Sequence, residues 1–251
     1  MQLNDTAAIV TGGASGLGAA TAASLAQQGA SVYAIDLQAS IDQAPAVDGV
    51  TYLAADVTSE EQIRAAVATA SETVPLRTVV NCAGIGPSAR ILGRKGVHDL
   101  GLYAKIVQIN LVGSFTVLAL ASEAIAKTEA DENGQRGVII NTASVAAYEG
   151  QIGQVAYASS KGGIVGMTLP AARDLAQYGI RVCTIAPGIV STPMLATVSE
   201  EYRAGLAAGI PFPQRLGEPS EYAKLVSMII DHDYLNGETI RMDGALRMAP
   251  R

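Results

Sequence analysis

Short apolar runs alternate with stretches of helical periodicity along the whole of this 251-residue chain. AAIVT (7–11), SVYAID (31–36), VTYLAAD (50–56), TVVNCA (78–83), GVIINTAS (137–144), IRVCTIAP (180–187) and ETIRMDG (238–244) are the predicted strands. Several are apolar at nearly every position, the pattern of strands covered on both faces. Between them, residues 17–28 carry Leu17, Ala20, Leu25 and Ala26 on a helical spacing. Thr58 followed by Glu61 fits a capping box that opens a helix over 59–72. Repeated β-α-β units with right-handed crossovers predict one α/β domain, a doubly wound parallel sheet with helices on both faces.

No linker, repeat or low-complexity tract divides the chain, so residues 1–251 read as a single domain. Two longer connections stand out, at 84–98 and 188–217, together with a C-terminal segment at 238–251. In an open α/β sheet the ligand crevice lies outside the carboxyl ends of the strands. Both connections leave strand ends and should rim that crevice, the second as a substrate loop.

Composition narrows the function. Apolar residues make up 49% of the chain and charged ones 16%, enough to bury a large core and too ordered a mix for disorder. A net charge of −6 argues against a nucleic-acid surface, which needs clustered positive charge. The longest apolar stretches are broken by Gly, Ser, Asn or a charge, so no membrane span is expected. MQLNDTAAIV enters a strand pattern with no basic leader, which sets the expectation of a cytoplasmic protein. Cys82 and Cys183 read as buried reduced thiols, and His98 and His232 lack companion ligand spacing, so no metal site is expected.

The first strand runs into TGGASGLG (11–18), which places Gly12, Gly16 and Gly18 between strand and helix. Glycines there allow a tight turn and close approach of a pyrophosphate, while the helix N-terminus offers unpaired N–H groups. The motif is informative because it follows a strand, opens a helix and forms the first crossover, the Rossmann-type context. Strand two ends in Asp36, where a carboxylate can accept from both ribose hydroxyls and repel a 2′-phosphate. With Leu37 next and no Arg or Lys in the glycine turn, the expected cofactor is NAD rather than NADP. Asp56, after the third strand, reads either as an adenine contact or as a cap of the next helix.

Residues 156–163 read AYASSKGG, and on a helix Tyr157 and Lys161 share one face. A phenol is a poor base at its ordinary pKa of about 10, but a nearby ammonium favours the phenolate. Ser144 ends the fifth strand, and Asn110 lies in the helical stretch QINLVGSF. TGGASGLG, Asp36, Asp56-Val57, NCAG (81–84), Asn110, Ser144, Tyr157, Lys161 and Pro187-Gly188 together resemble the short-chain dehydrogenase/reductase family. The stretches 134–176, 211–223 and 235–248 resemble its type 2 3-hydroxyacyl-CoA dehydrogenase branch, also known as 17β-hydroxysteroid dehydrogenase type 10.

This resemblance implies a hydride transfer between an alcohol and NAD with Tyr157 as general base. It makes Ser144 the hydrogen-bond partner of the substrate oxygen, Lys161 the holder of the nicotinamide ribose, and Asn110 the anchor of a proton-relay water. It assigns cofactor contacts to Gly12, Ser15, Gly16, Leu17, Gly18, Asp36, Asp56, Val57, Cys82, Ala83, Gly84, Pro187, Gly188, Ile189 and Thr192. The implied substrate is an (S)-3-hydroxyacyl-CoA thioester, with a steroid alcohol as the rival and a non-catalytic NAD-binding scaffold as a rival of another class. Arg90, Arg94 and Lys95 could meet CoA phosphates or form a solvated loop. The resemblance also implies a homotetramer built on helices near 104–127 and 155–177, with small residues such as Ala119, Ala121, Ala158, Gly162 and Gly166 at the contacts.

Overall fold

Strand β1 (Ala7–Thr11) is buried at every position. Ala7 and Ile9 point into one layer while Ala8 and Val10 point into the other, so an unbroken apolar run is what a doubly covered strand needs. The structure, a computed structural model, describes residues 1–94, 96–195 and 199–250. Helix α1 (Gly16–Gln27) leads to β2 (Ser31–Asp36), the short α2 (Gln38–Ile41), β3 (Val50–Ala54), α3 (Glu60–Ala70) and β4 (Leu76–Asn81). A two-stranded hairpin of β5 (Leu92–Gly93) and β6 (Gly96–Val97) stands off the connection after β4.

The second half begins with α4 (Leu100–Val107), a π-helical turn at Gln108–Gly113 and α5 (Ser114–Ile125), then β7 (Gly137–Thr142). It continues through α6 (Ala146–Glu149), α7 (Val155–Ala176), β8 (Ile180–Pro187), α8 (Glu200–Ala208), α9 (Pro219–Asp231) and β9 (Thr239–Met242). The seven main strands form one parallel sheet in the order β3-β2-β1-β4-β7-β8-β9. The order reverses between β1 and β4, which is where a doubly wound sheet opens its ligand crevice. One core layer joins the sheet to α3, α5 and α7, through Ile63, Val117 and Ala172 among others. The other joins it to α1 and α9, through Leu25, Tyr222, Val226 and Ile229.

Several expectations shift. The third helix is capped by Ser59, whose hydroxyl accepts from Gln62 N–H, and not by Thr58. Thr58 instead closes a turn with Asp56, donating both N–H and hydroxyl to Oδ1, so the helix starts one residue later. The run Leu100–Ile125 is a continuous 26-residue helix with an 18-residue window of mean hydropathy 1.6, long and apolar enough by those measures to cross a membrane. Asn110, Gly113 and Ser114 interrupt the apolar sequence but not the helix, because the π turn carries the backbone through them. Its inner face is committed to the sheet: Val117, Leu118, Ala121 and Ile125 are core residues. Ala121 therefore belongs to the core while Ala119 is exposed, and the two do not share one contact face. The outer side of the helix exposes Val112 and Phe115.

Candidate active site

The glycine turn sits at the sheet's point of reversal. Gly12 and Gly16 adopt positive φ, +64° and +54°, which is why glycine is needed there. A Cβ on Gly12 would come within 2.9 Å of Ala83 N, and one on Gly18 would strike the Gly12 carbonyl. The turn is thus pressed against the end of β4 and leaves no volume for side chains. Ser15 precedes α1 without a side-chain cap, and no acidic residue occupies the first turn, so its N–H groups are open to an anion.

Asp36, at the end of β2, accepts from Ala14 N–H at 3.1 Å through Oδ2 and from Leu37 N–H at 2.8 Å through Oδ1. These bonds hold the carboxylate beside the glycine turn. Thr192 and Pro193 lie over Gly16 from the far side, within about 3.6 Å of where its Cβ would be. Gly188 N–H donates to Met242 O, and Ile189 O accepts from Gly217 N–H, which fixes the exit of β8. Val57, by contrast, turns its side chain into the core beneath Gly113. The Asp56 carboxylate is engaged by Thr58, as a turn would require.

The four predicted polar residues converge from different elements. Asn110 is fully buried in the π turn, where its amide donates to Ile85 O and Ser160 Oγ and its Oδ1 accepts from Ile85 N–H. Lys161 is buried one turn after Tyr157, and its Nζ lies 5.7 Å from the centroid of the tyrosine ring. Gly84 lies between them: a Cβ there would be 3.1 Å from Asn110 Oδ1 and 3.7 Å from Lys161 Nζ. Ser144 leaves β7 along β8, with its hydroxyl accepting from Ala146 N–H and a hydrogen bond to Tyr157.

The electrostatics differ from the simple base-and-ammonium picture. Burial raises the Tyr157 phenol above its ordinary pKa, and the Ser144 hydrogen bond works against the rise. Burial pushes Lys161 down to about 8, partly offset by the Cys82 sulfur. The ammonium donates not to the tyrosine but to the main-chain carbonyl of Thr142, at 2.7 Å. Thr142 was not singled out in the sequence, because nothing local marks a strand-end threonine as the acceptor for a lysine on another element. Thr11 was also missed; its hydroxyl accepts from Cys82 and Ala83 N–H and holds the NCAG strand end to β1.

A cleft of about 440 Å³ opens between Ala89–Leu92 and Gly150–Val155, reaching Ala158 on the helix that bears Tyr157. Arg90 and Arg94 are exposed on the hairpin connection near it, and Lys95 falls outside the described residues. Cys82 and Cys183 are free thiols on β4's end and on β8. Among the described residues, no group of three or more His, Cys, Asp or Glu could hold a metal ion.

A glycine turn at the reversal of a seven-stranded parallel sheet, with Ser, Tyr and Lys meeting at the carboxyl end, accords with the family model described as short chain dehydrogenase. That model matches residues 6–203. The chain belongs to this family. It is 51% identical over 254 residues to 3-hydroxyacyl-CoA dehydrogenase type-2 of Drosophila melanogaster, covering 99% of this chain and 100% of that protein. The protein of the same name from Homo sapiens is 51% identical, with 97% of this chain and 95% of that one covered. Among solved structures, 3-hydroxyacyl-CoA dehydrogenase type-2 from Mycobacterium avium superposes with a TM-score of 0.92 at 43% identity, covering 98% of both chains. As a short chain dehydrogenase the protein is an oxidoreductase acting on CH–OH groups with a nicotinamide dinucleotide. The uncapped N–H groups of α1 and the tight turn made possible by the positive φ of Gly12 and Gly16 fit the pyrophosphate of such a cofactor.

Proposed function

We propose that the protein is an NAD-dependent dehydrogenase interconverting (S)-3-hydroxyacyl-CoA and 3-oxoacyl-CoA. The observation that carries the reading is the convergence of Asn110, Ser144, Tyr157 and Lys161 beside the glycine turn, in a chain half identical over nearly its full length to 3-hydroxyacyl-CoA dehydrogenases. Asp36 supports NAD over its 2′-phosphorylated form, since its carboxylate lies where the adenosine ribose hydroxyls bind in such folds. When bound, the dinucleotide supplies the hydride acceptor.

Oxidation removes H⁻ from the carbinol carbon and H⁺ from its oxygen, so a base must meet that oxygen. Tyr157 takes the proton, and Ser144 bonds the oxygen in both alcohol and ketone forms. Lys161 raises the positive potential at the phenol and holds the nicotinamide ribose, while Asn110 steadies the Ile85 backbone beside it and anchors the proton-relay water. Gly12, Ser15, Gly16, Leu17 and Gly18 take the pyrophosphate; Cys82, Ala83, Gly84, Pro187, Gly188, Ile189 and Thr192 border the nicotinamide half. The cleft beside Ala158 receives the acyl thioester, and Arg90 in its lining meets the CoA phosphates. The exposed Val112 in the π turn, Phe115 on α5 and Leu169 on α7 support burial of these helices in a homotetramer. A cytoplasmic site of action suits this chemistry.

The test is NADH formation by purified protein. 3-Hydroxybutyryl-CoA should be oxidised, and Tyr157→Phe should lose turnover by a factor of at least about 10³ while NAD affinity stays nearly unchanged. Turnover of a steroid alcohol with none of the acyl-CoA would replace the substrate assignment. Unchanged turnover in Tyr157→Phe would discard the mechanism.

A further inference from the structure

Beside Lys161 lies a group of protic side chains that the mechanism above does not use. Tyr222, in the first turns of α9, is fully buried, and α9 otherwise presents Val226, Ile229 and Ile230 to the same core layer. A phenol in such a layer is costly unless its hydroxyl is bonded. The Tyr222 hydroxyl lies 2.7 Å from Thr142 Oγ1 and 3.6 Å from Cys82 Sγ. Thr142 Oγ1 in turn lies 3.6 Å from the same sulfur, which closes a ring of three groups from α9, β7 and the end of β4.

The position of that ring matters because of what Thr142 does with its backbone. Its carbonyl accepts the hydrogen bond that holds the buried Lys161 ammonium, and Ser144 follows two residues later. The pairing of β4 with β7 ends at Asn81 and Asn141, so Thr142 lies one residue past the last rung on that side. Its side chain is held there by the Tyr222 and Cys82 contacts instead. A phenylalanine would fill the α9 position equally well as packing; the hydroxyl adds the short bond to Thr142 and the longer contact with the Cys82 sulfur.

We infer that Tyr222 is a positioning residue of the dehydrogenase site: through the Thr142 hydroxyl it fixes the Thr142 carbonyl that orients Lys161. This inference rests on the reading of Lys161 as part of that site. The titratable groups around the lysine are Tyr157 on its own helix, Cys82 at the end of β4 and, behind Cys82, Tyr222 itself. Burial holds the Cys82 thiol and the Tyr222 phenol above their ordinary ranges, which separates them from the lysine, depressed to about 8.

The experiment measures NADH binding by calorimetry from pH 6 to 10, and kcat with 3-hydroxybutyryl-CoA, for wild type, Tyr222→Phe, Thr142→Val, Thr142→Ser and the Tyr222→Phe/Thr142→Val double variant. A loosened carbonyl stabilises the ammonium less, so the binding midpoint should fall by about half a pH unit or more in Tyr222→Phe. Its kcat should drop about fivefold. Thr142→Val should behave alike, the double variant should add little to either, and Thr142→Ser, which keeps the hydroxyl, should restore the wild-type midpoint. A wild-type midpoint in Tyr222→Phe overturns the inference even if the variant melts earlier, as do fully additive effects in the double variant. If Tyr222→Phe does not fold, the Val and Ser variants of Thr142 decide: equal midpoints overturn it. If wild type turns over no 3-hydroxybutyryl-CoA, the substrate assignment fails, while the NADH-binding midpoints still test the positioning role.

Discussion

Replacing Lys161 by Met should make the ligand-free protein more stable at neutral pH while abolishing turnover. Burial lowers the Lys161 pKa from 10.5 to about 8. At about 1.4 kcal/mol per pKa unit this corresponds to roughly 3 kcal/mol of destabilisation by the charged form. The sign follows from proton binding. Below pH 8 the lysine is protonated in both folded and unfolded chains and the full penalty applies. Between pH 8 and 10.5 the folded chain binds fewer protons than the unfolded one, so stability rises with pH. Above 10.5 both are neutral and the penalty is gone.

Methionine keeps an unbranched chain of similar length but leaves the Thr142 carbonyl without its donor, at a cost of about 1–2 kcal/mol. The net expectation at pH 7 is a gain of about 1–2 kcal/mol, or roughly 4 °C in Tm for a domain of this size. Urea unfolding of ligand-free wild type and Lys161→Met, at one protein concentration and at pH 7, 8, 9 and 10, measures it. The advantage of the variant should shrink across that series and approach zero or reverse at its end. A variant less stable than wild type at pH 7, or a difference that does not change with pH, would refute the argument that burial of the charge governs this site.

Two further outcomes follow from other parts of the fold. Asp36→Ala removes the carboxylate beside the glycine turn; NAD affinity should fall about 10- to 100-fold and the preference over NADP should narrow, read as the ratio of Kd values by calorimetry. Arg181, buried near the start of β8, donates to Gln135 Oε1, to the carbonyls of Ile229 and Ile230 at the end of α9 and to that of Leu235 in the connection to β9. Arg181→Met should cost about 3 kcal/mol in urea unfolding yet leave the Kd for NAD within about twofold, since it lies at the opposite end of the sheet from the crevice.

Much of this protein is written locally. Continuous apolar runs such as AAIVT and GVIINT specify strands covered on both sides, because each successive side chain enters a different core layer. The turn TGGASGLG announces its role because positive φ at Gly12 and Gly16 is a property of the residues themselves. Tyr157 and Lys161 are neighbours by helical geometry alone. Helix boundaries are less legible: Ser59 caps α3 where the sequence pattern points to Thr58, since Thr58 is drawn to Asp56. Leu100–Ile125 is one helix although its sequence looks interrupted.

What only the tertiary structure decided is where the lysine's proton bond goes. Lys161 is 19 residues from Thr142, beyond α6 and the start of α7, and Thr142 meets Cys82 and Tyr222 from positions 60 and 80 residues away. Periodicity tells which face of an element is buried, but not which atoms meet across a strand end. Strand register and desolvation settle that: β4 stops pairing at Asn81, the Thr142 carbonyl takes the ammonium, and the lysine's pKa falls to about 8.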